Sequence, residues 1–191
     1  MYQFLFVLLS ISLISAQQFF DSPCPDRPVQ QDFDLTKYIS HKWYEVYRYN
    51  AMFQKGCECS RATYTLNTDN TVKVHNCCKK PEGNECAIGK AIVSFPEHLP
   101  LEGKLNVAFN DQPITKSNYW VLSTDYEKYS VVYTCGNIPG NKSIQFAWIL
   151  SATPQLDESV SAHVNELIDK YFDRSALIVV NQSESFCEPR D

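Results

Sequence analysis

The sequence is short of several things at once. Of its 191 residues 2 are methionine, 6 glycine and 4 histidine, and the 17 basic residues are outnumbered by 22 acidic ones. The resulting net charge of -5 argues against nucleic acid and against an anionic membrane as main partner, because both are held chiefly by an excess of Lys and Arg. No apolar run after residue 16 reaches the ~20 residues that span a bilayer, so no stable membrane insertion is expected. Nucleophile elbow, phosphate loop, HExxH pair and dinucleotide fingerprint are all missing. His41, His75, His98 and His163 are scattered, with no Cys, Ser or carboxylate placed to complete a catalytic set. The chain therefore does not read as an enzyme. Its 44% hydrophobic and 20% charged residues are enough to bury a core, and its length suits one domain.

What is present starts at the N-terminus. Phe4 to Ile14 (FLFVLLSISLI) is an uncharged apolar run of signal-peptide length, followed by the small residues Ser15 and Ala16. The expectation is a cleaved signal peptide over 1–16 and one secreted, extracellular domain over 17–191. The segment before the apolar run has no Lys or Arg, which leaves an uncleaved anchor as the alternative. In the oxidising secretory route the 8 cysteines read as four disulfides. A zinc site is the rival, but Cys57-Glu58-Cys59 and Cys77-Cys78 lack the usual two-to-four-residue gap between ligands, and no metal is expected. Sequons at Asn141 and Asn181 fit the same route as glycosylation sites.

The mature chain is a series of short segments rich in β-branched and aromatic residues, separated by turn residues, the pattern of an all-β barrel or sandwich. Eight strands are expected: 43–49, 61–67, 71–77, 87–95, 103–109, 118–124, 129–135 and 143–150. Alternation is clean where Leu105, Val107 and Phe109 oppose Lys104, Asn106 and Ala108, and where Phe146, Trp148 and Leu150 oppose Gln145 and Ala147. From Asp157 the period changes. Val160, Val164, Leu167, Ile168 and Tyr171 form the stripe of one amphipathic helix of about four turns, and Ala176 to Val180 follows as a short ninth strand. Eight antiparallel strands can close on themselves and enclose one small ligand.

Three stretches carry a family likeness. Lys42-Trp43-Tyr44-Glu45-Val46, then Ser123-Thr124-Asp125-Tyr126 with Tyr129 to Cys135 (YSVVYTC), then Phe146 to Pro154 (FAWILSATP) ahead of a lone helix resemble the three motif regions of the lipocalins, in order and spacing. The likeness is greatest to the outer group that includes apolipoprotein D, the insect bilin-binding proteins and the crustacean carapace pigment proteins. It implies an eight-stranded up-and-down barrel with a C-terminal helix. Two positions depart from the family: His41 replaces the usual Gly before the first-strand Trp, and Ala152 replaces the Arg that covers that Trp. The resemblance further implies that Cys24 bonds Cys135 and Cys59 bonds Cys187. A bridge from Cys78 to Cys86 across the loop 79–85 is geometrically plausible and leaves Cys57 for Cys77, with an exchange of Cys77 and Cys78 open.

Aligning the motif regions puts Tyr64, Asn76 and Trp148 at positions that face the cavity in related bilin and steroid binders. Alternation carries Phe146, Leu150 and Val74 inward with them, and Val132 and Thr134 follow if Cys135 points outward. The structural alternative for each is a packed core residue. An amide such as Asn76 in an apolar cavity needs a partner, since an unpaired buried polar group costs ~1 to 3 kcal/mol. The resemblance thus implies a secreted carrier of one small hydrophobic ligand held without covalent bonds and without a required cofactor. Biliverdin comes first, then a retinoid, sterol, fatty acid or other lipid. A homo-oligomer is compatible with it. The rival is an extracellular protein-interaction module using open-end loops such as 79–85, and an enzyme using Cys78 as an unpaired inward thiol is a lesser one. Lipid protection by exposed Met has only Met1 and Met52 to rest on.

Overall fold

A computed structural model describes residues 18–110, 112–114 and 117–187; the leader over 1–16, with the signal-peptide expectation, lies outside them. In chain order come β1 (Phe19–Phe20), α1 (Leu35–Ile39), β2 (Trp43–Tyr49), β3 (Glu58–Leu66), β4 (Val72–Lys80), β5 (Gly83–Val93) and β6 (Lys104–Phe109). Then follow β7 (Tyr119–Thr124), β8 (Tyr129–Ile138), β9 (Lys142–Ser151), α2 (Glu158–Tyr171), β10 (Leu177–Val179) and α3 (Glu184–Cys187). Each strand from β2 to β9 pairs antiparallel with the next, and β9 returns to pair with β2, so eight strands close into a barrel. The two extra strands lie at that seam, β1 on β9 and β10 on β2. All eight expected strands are found, with β2 spanning 43–49 as read from the sequence and most others longer by a few residues.

The largest boundary difference changes two disulfides. The expected loop over 79–85 is mostly strand: β4 runs to Lys80, β5 starts at Gly83, and Cys77 stands directly opposite Cys86. Cys77 therefore bonds Cys86, while Cys78, one residue on and turned to the other face, bonds Cys57. The expected pairs Cys78–Cys86 and Cys57–Cys77 are corrected accordingly, because neighbouring strand residues point to opposite faces. Cys24 bonds Cys135 and Cys59 bonds Cys187. The Cys59 bridge uses a bulge: pairing of β3 with β4 skips between Glu58 and Arg61, and Cys59 adopts a φ of 55° there.

One outer face of the barrel is as dry as its interior. Val131, Tyr133, Ala147 and Ile149 point outward from β8 and β9 and are buried under α2, whose Val164 and Ile168 meet them. The helix starts at Asp157, whose carboxylate accepts from the Ser159 amide, as the N-cap of a helix should. Arg27 seals the joint, its guanidinium lying 5.0 Å from the Tyr133 ring centroid and 5.4 Å from that of Tyr171.

The inner face is plugged at one end. Trp43, with no exposed surface, is stacked by Tyr38 of α1 at 5.5 Å between ring centroids, and its indole N–H donates to the Tyr38 carbonyl at 2.9 Å. His41 lies 6.0 Å from the same ring. Ala152 packs part-buried against the cluster that holds Trp43 and Tyr38. Replacing Trp43 with Ala should cost about 3 to 5 kcal/mol, measured by denaturant unfolding, because it removes a fully buried indole and leaves a cavity among Phe33, Tyr38 and Leu150. A loss below about 1 kcal/mol would mean that the closed end is not sealed this way.

Candidate functional site

The candidate site is the barrel interior, and strand register decides which side chains enter it. Trp43 faces inward and is opposite Ala62, which is opposite Asn76; Tyr64 is opposite Val74; Val132 is opposite Trp148; Thr134 is opposite Phe146. Leu150 joins Trp43 and Val132 in the same packed cluster. All eight residues singled out in the sequence thus share the inner face. They divide by depth: Val74, Val132 and Leu150 are buried, whereas Tyr64, Asn76, Thr134, Phe146 and Trp148 are only part-buried. Residues that point into a closed barrel and still keep accessible surface line open space, since a filled core would have covered them. Gly89 helps to keep the wall continuous, because a Cβ there would lie 2.7 Å from the Ala108 carbonyl oxygen and 2.8 Å from the Phe109 ring.

Aromatic side chains make most of the wall. Trp148 stacks against Phe146 at 6.0 Å and against Tyr119 at 6.5 Å between ring centroids. Below them the Tyr38 hydroxyl lies 2.8 Å from that of Tyr119 and 3.1 Å from Ser130 Oγ. Removal from water pushes the Tyr64 phenol up to about 12, even though Tyr119 hydrogen-bonds it, and pushes Tyr38 and Tyr119 well above the ordinary value too. At neutral pH this wall carries no phenolate.

The interior also holds an ion pair that period-two reasoning does not find. Between Glu45 and Tyr47 the pairing of β2 with β9 slips by one residue, so Glu45 and Arg48, three apart, both turn inward. Arg48 Nη1 donates to Glu45 Oε1 at 2.7 Å and Nη2 to the Cys57 carbonyl at 2.9 Å. The 3-10 turn Met52–Gln54 in the β2–β3 loop supplies a third member. Gln54 Nε2 donates to Glu45 Oε2 at 2.8 Å, and Trp148 Nε1 donates to Gln54 Oε1 at 2.9 Å. Burial pushes the Glu45 carboxyl above its ordinary value, and Arg48 and Gln54 pull it back. Arg48 Nε is left without a partner, and elsewhere on the inner face Asn76 Oδ1 is likewise buried with no hydrogen-bond partner.

The remaining candidates lie elsewhere. His75, Cys77 and Cys86 bring ligand atoms within 4.8 Å of one another, but the two sulfurs are joined to each other and offer no thiolate. Cys78, the thiol that an enzymatic reading would use, is bonded to Cys57. Asn141 and Asn181 of the two sequons are both exposed. No helix among the described residues is long and apolar enough to cross a membrane.

Comparison with known proteins places this barrel among relatives. Residues 33–182 match the family model described as a lipocalin-like domain. Apolipoprotein D of Cavia porcellus is 35% identical over 153 residues, 80% of this chain and 78% of that protein. The Lazarillo protein of Schistocerca americana is 33% identical over 184 residues, 95% and 83% of the two chains. The solved structure of insecticyanin from the tobacco hornworm Manduca sexta superposes with a TM-score of 0.78 at 25% identity, covering 90% of this chain and 92% of that one.

The neutral tyrosine wall has a measurable consequence. A phenol whose pKa is raised on folding lends stability that is whole below the unfolded value of 10.0 and is lost as pH rises towards about 12. Spectrophotometric titration should therefore show Tyr38, Tyr64 and Tyr119 ionising only together with unfolding. Three phenolates appearing near pH 10 in a folded protein would contradict the interior described here.

Proposed function

Because this chain belongs to the lipocalins, a family that binds small hydrophobic ligands, we propose that it is a secreted carrier holding one such ligand, a bilin of the biliverdin type, inside the barrel. The leader and four disulfides support the secreted, extracellular assignment. The aromatic wall of Tyr64, Tyr119, Phe146 and Trp148 suits a flat conjugated molecule, since π-faces and apolar area supply most of the affinity in pockets of this kind.

The observation that carries the choice of ligand is Asn76 Oδ1. It is an acceptor, buried and unpaired, so what it needs is a donor. A bilin brings pyrrole and lactam N–H groups into an otherwise greasy cavity. A retinol or sterol brings a single hydroxyl, and a hydrocarbon chain brings nothing. Thr134 then completes the contact surface around the aromatic residues, with Val74, Val132 and Leu150 packed behind it. Lipocalins hold such ligands without covalent bonds, and no cofactor is needed for carriage.

Purified protein titrated with biliverdin should bind one equivalent, with a change in the visible band and quenching of tryptophan fluorescence. Asn76→Leu should move two quantities in opposite directions. It should stabilise the empty barrel by about 1 kcal/mol by removing an unpaired polar atom, and weaken biliverdin about tenfold by removing its acceptor. No binding of biliverdin by the native protein, with tight binding of a fatty acid or sterol, would overturn the choice of ligand. An empty barrel that binds a second protein through its open-end loops would overturn carriage itself.

A further inference from the structure

Gln54 does something unusual for a loop residue: it places a primary amide inside the barrel, between a carboxylate and an indole. Its N–H donates to Glu45 Oε2 at 2.8 Å and its carbonyl oxygen accepts from Trp148 Nε1 at 2.9 Å. A carboxamide, which carries a C=O beside an N–H, is thus read by an acceptor and a donor fixed on two different strands, β2 and β9. Neither reader is free to wander. Glu45 is held by Arg48 at its other oxygen, and the Trp148 ring is stacked against Phe146 and Tyr119. Such a pair is a built subsite, specific for any group that presents the same edge.

We propose that Glu45 Oε2 and Trp148 Nε1 form a recognition subsite for a lactam or other cis-amide edge of the ligand, and that Gln54 occupies it as an internal stand-in until the ligand displaces it. A lactam ring offers N–H and C=O in the same relative placement as the Gln54 amide, whereas an alcohol or a carboxylate offers only part of that pattern. This rests on the carriage reading above and deepens it, since it says which chemistry the cavity prefers and what competes for the place. Displacement is local. The loop around Gln54 stays anchored by the Cys57–Cys78 disulfide, by Arg48 on the Cys57 carbonyl and by Phe53, whose ring centroid lies 5.5 Å from that of Phe146. Only the side chain of Gln54 has to swing out, and Glu45 and Trp148 then exchange one amide for another without losing a hydrogen bond.

The test compares two probes on three forms of the full protein. Biliverdin carries lactam edges and all-trans-retinol carries none; each is titrated into the native chain, Gln54→Ala and Gln54→Met by fluorescence quenching. Removing the competing amide should tighten biliverdin about tenfold, the size of one well-made hydrogen bond, in Gln54→Ala, with retinol changed less than about twofold. Gln54→Met keeps the length of the side chain without its amide, so it should also favour biliverdin over retinol relative to the native chain, and it serves if the Ala variant loosens the loop. Equal weakening of both probes in both variants would show Gln54 to be ordinary cavity wall and would overturn the proposal while leaving carriage standing. Unchanged affinities would overturn it as well. Failure of every form to bind either probe would remove the carriage reading, and the subsite with it.

Discussion

The hydrogen bonds between β9 and β2, from Tyr44 with Ser151 to Arg48 with Trp148, turn a meander into a barrel, and the molecule has an inside only because of them. Closure gives every strand one face towards a shared interior and one towards the outside. It also removes the free edges that would otherwise invite pairing with other chains. Where the outer face is dry, as on β8 and β9, a helix has been laid over it. Where the inner face meets itself at one end, Tyr38 and Trp43 fill it. What is left, between that plug and the loop carrying Gln54, is a lined space whose polar atoms can be counted.

That count separates two kinds of interior polarity. Both Glu45 oxygens are taken, one by Arg48 and one by Gln54, while Arg48 Nε is left unpaired, and a buried ion pair of this kind serves more to fix geometry than to add stability. Its effect is to hold Trp148 and the mouth loop in one arrangement. Asn76 is different, because its oxygen has lost water without finding a partner. In a protein built to be filled only by its own side chains, such an atom is a defect. In a carrier it is a place kept for the cargo, and the chemistry of the unpaired atom, an acceptor, says what kind of cargo is complementary to it.

Much of this was legible in the sequence. Alternation along 143–150 and 103–109 put Phe146, Trp148, Leu150 and Val107 on the correct face, and the stripe from Val160 to Tyr171 gave α2 its extent. A bulge adds one residue to one strand without leaving a mark in the residue pattern, and strict alternation would face Glu45 and Arg48 opposite ways. The first choice for Cys77 and Cys78, whose exchange stayed open, fails because the sequence reading ends β4 too early and begins β5 too late, and a single residue of register decides the pairing. Helix α1 is too short to show a period, and with it Tyr38 was missed. Gln54 reaches the interior from a loop, where no periodicity applies; Tyr119, by contrast, could have been found from its alternation with Val121.

The account stands on the claim that the barrel is loaded in its native setting. Native mass spectrometry of the protein purified from its own source addresses that claim most directly. The expected spectrum shows the chain with one small molecule in excess of its mass, lost on raising the collision energy and absorbing in the visible as a bilin does. A chain that arrives empty, or bound only to a second protein, would contradict it.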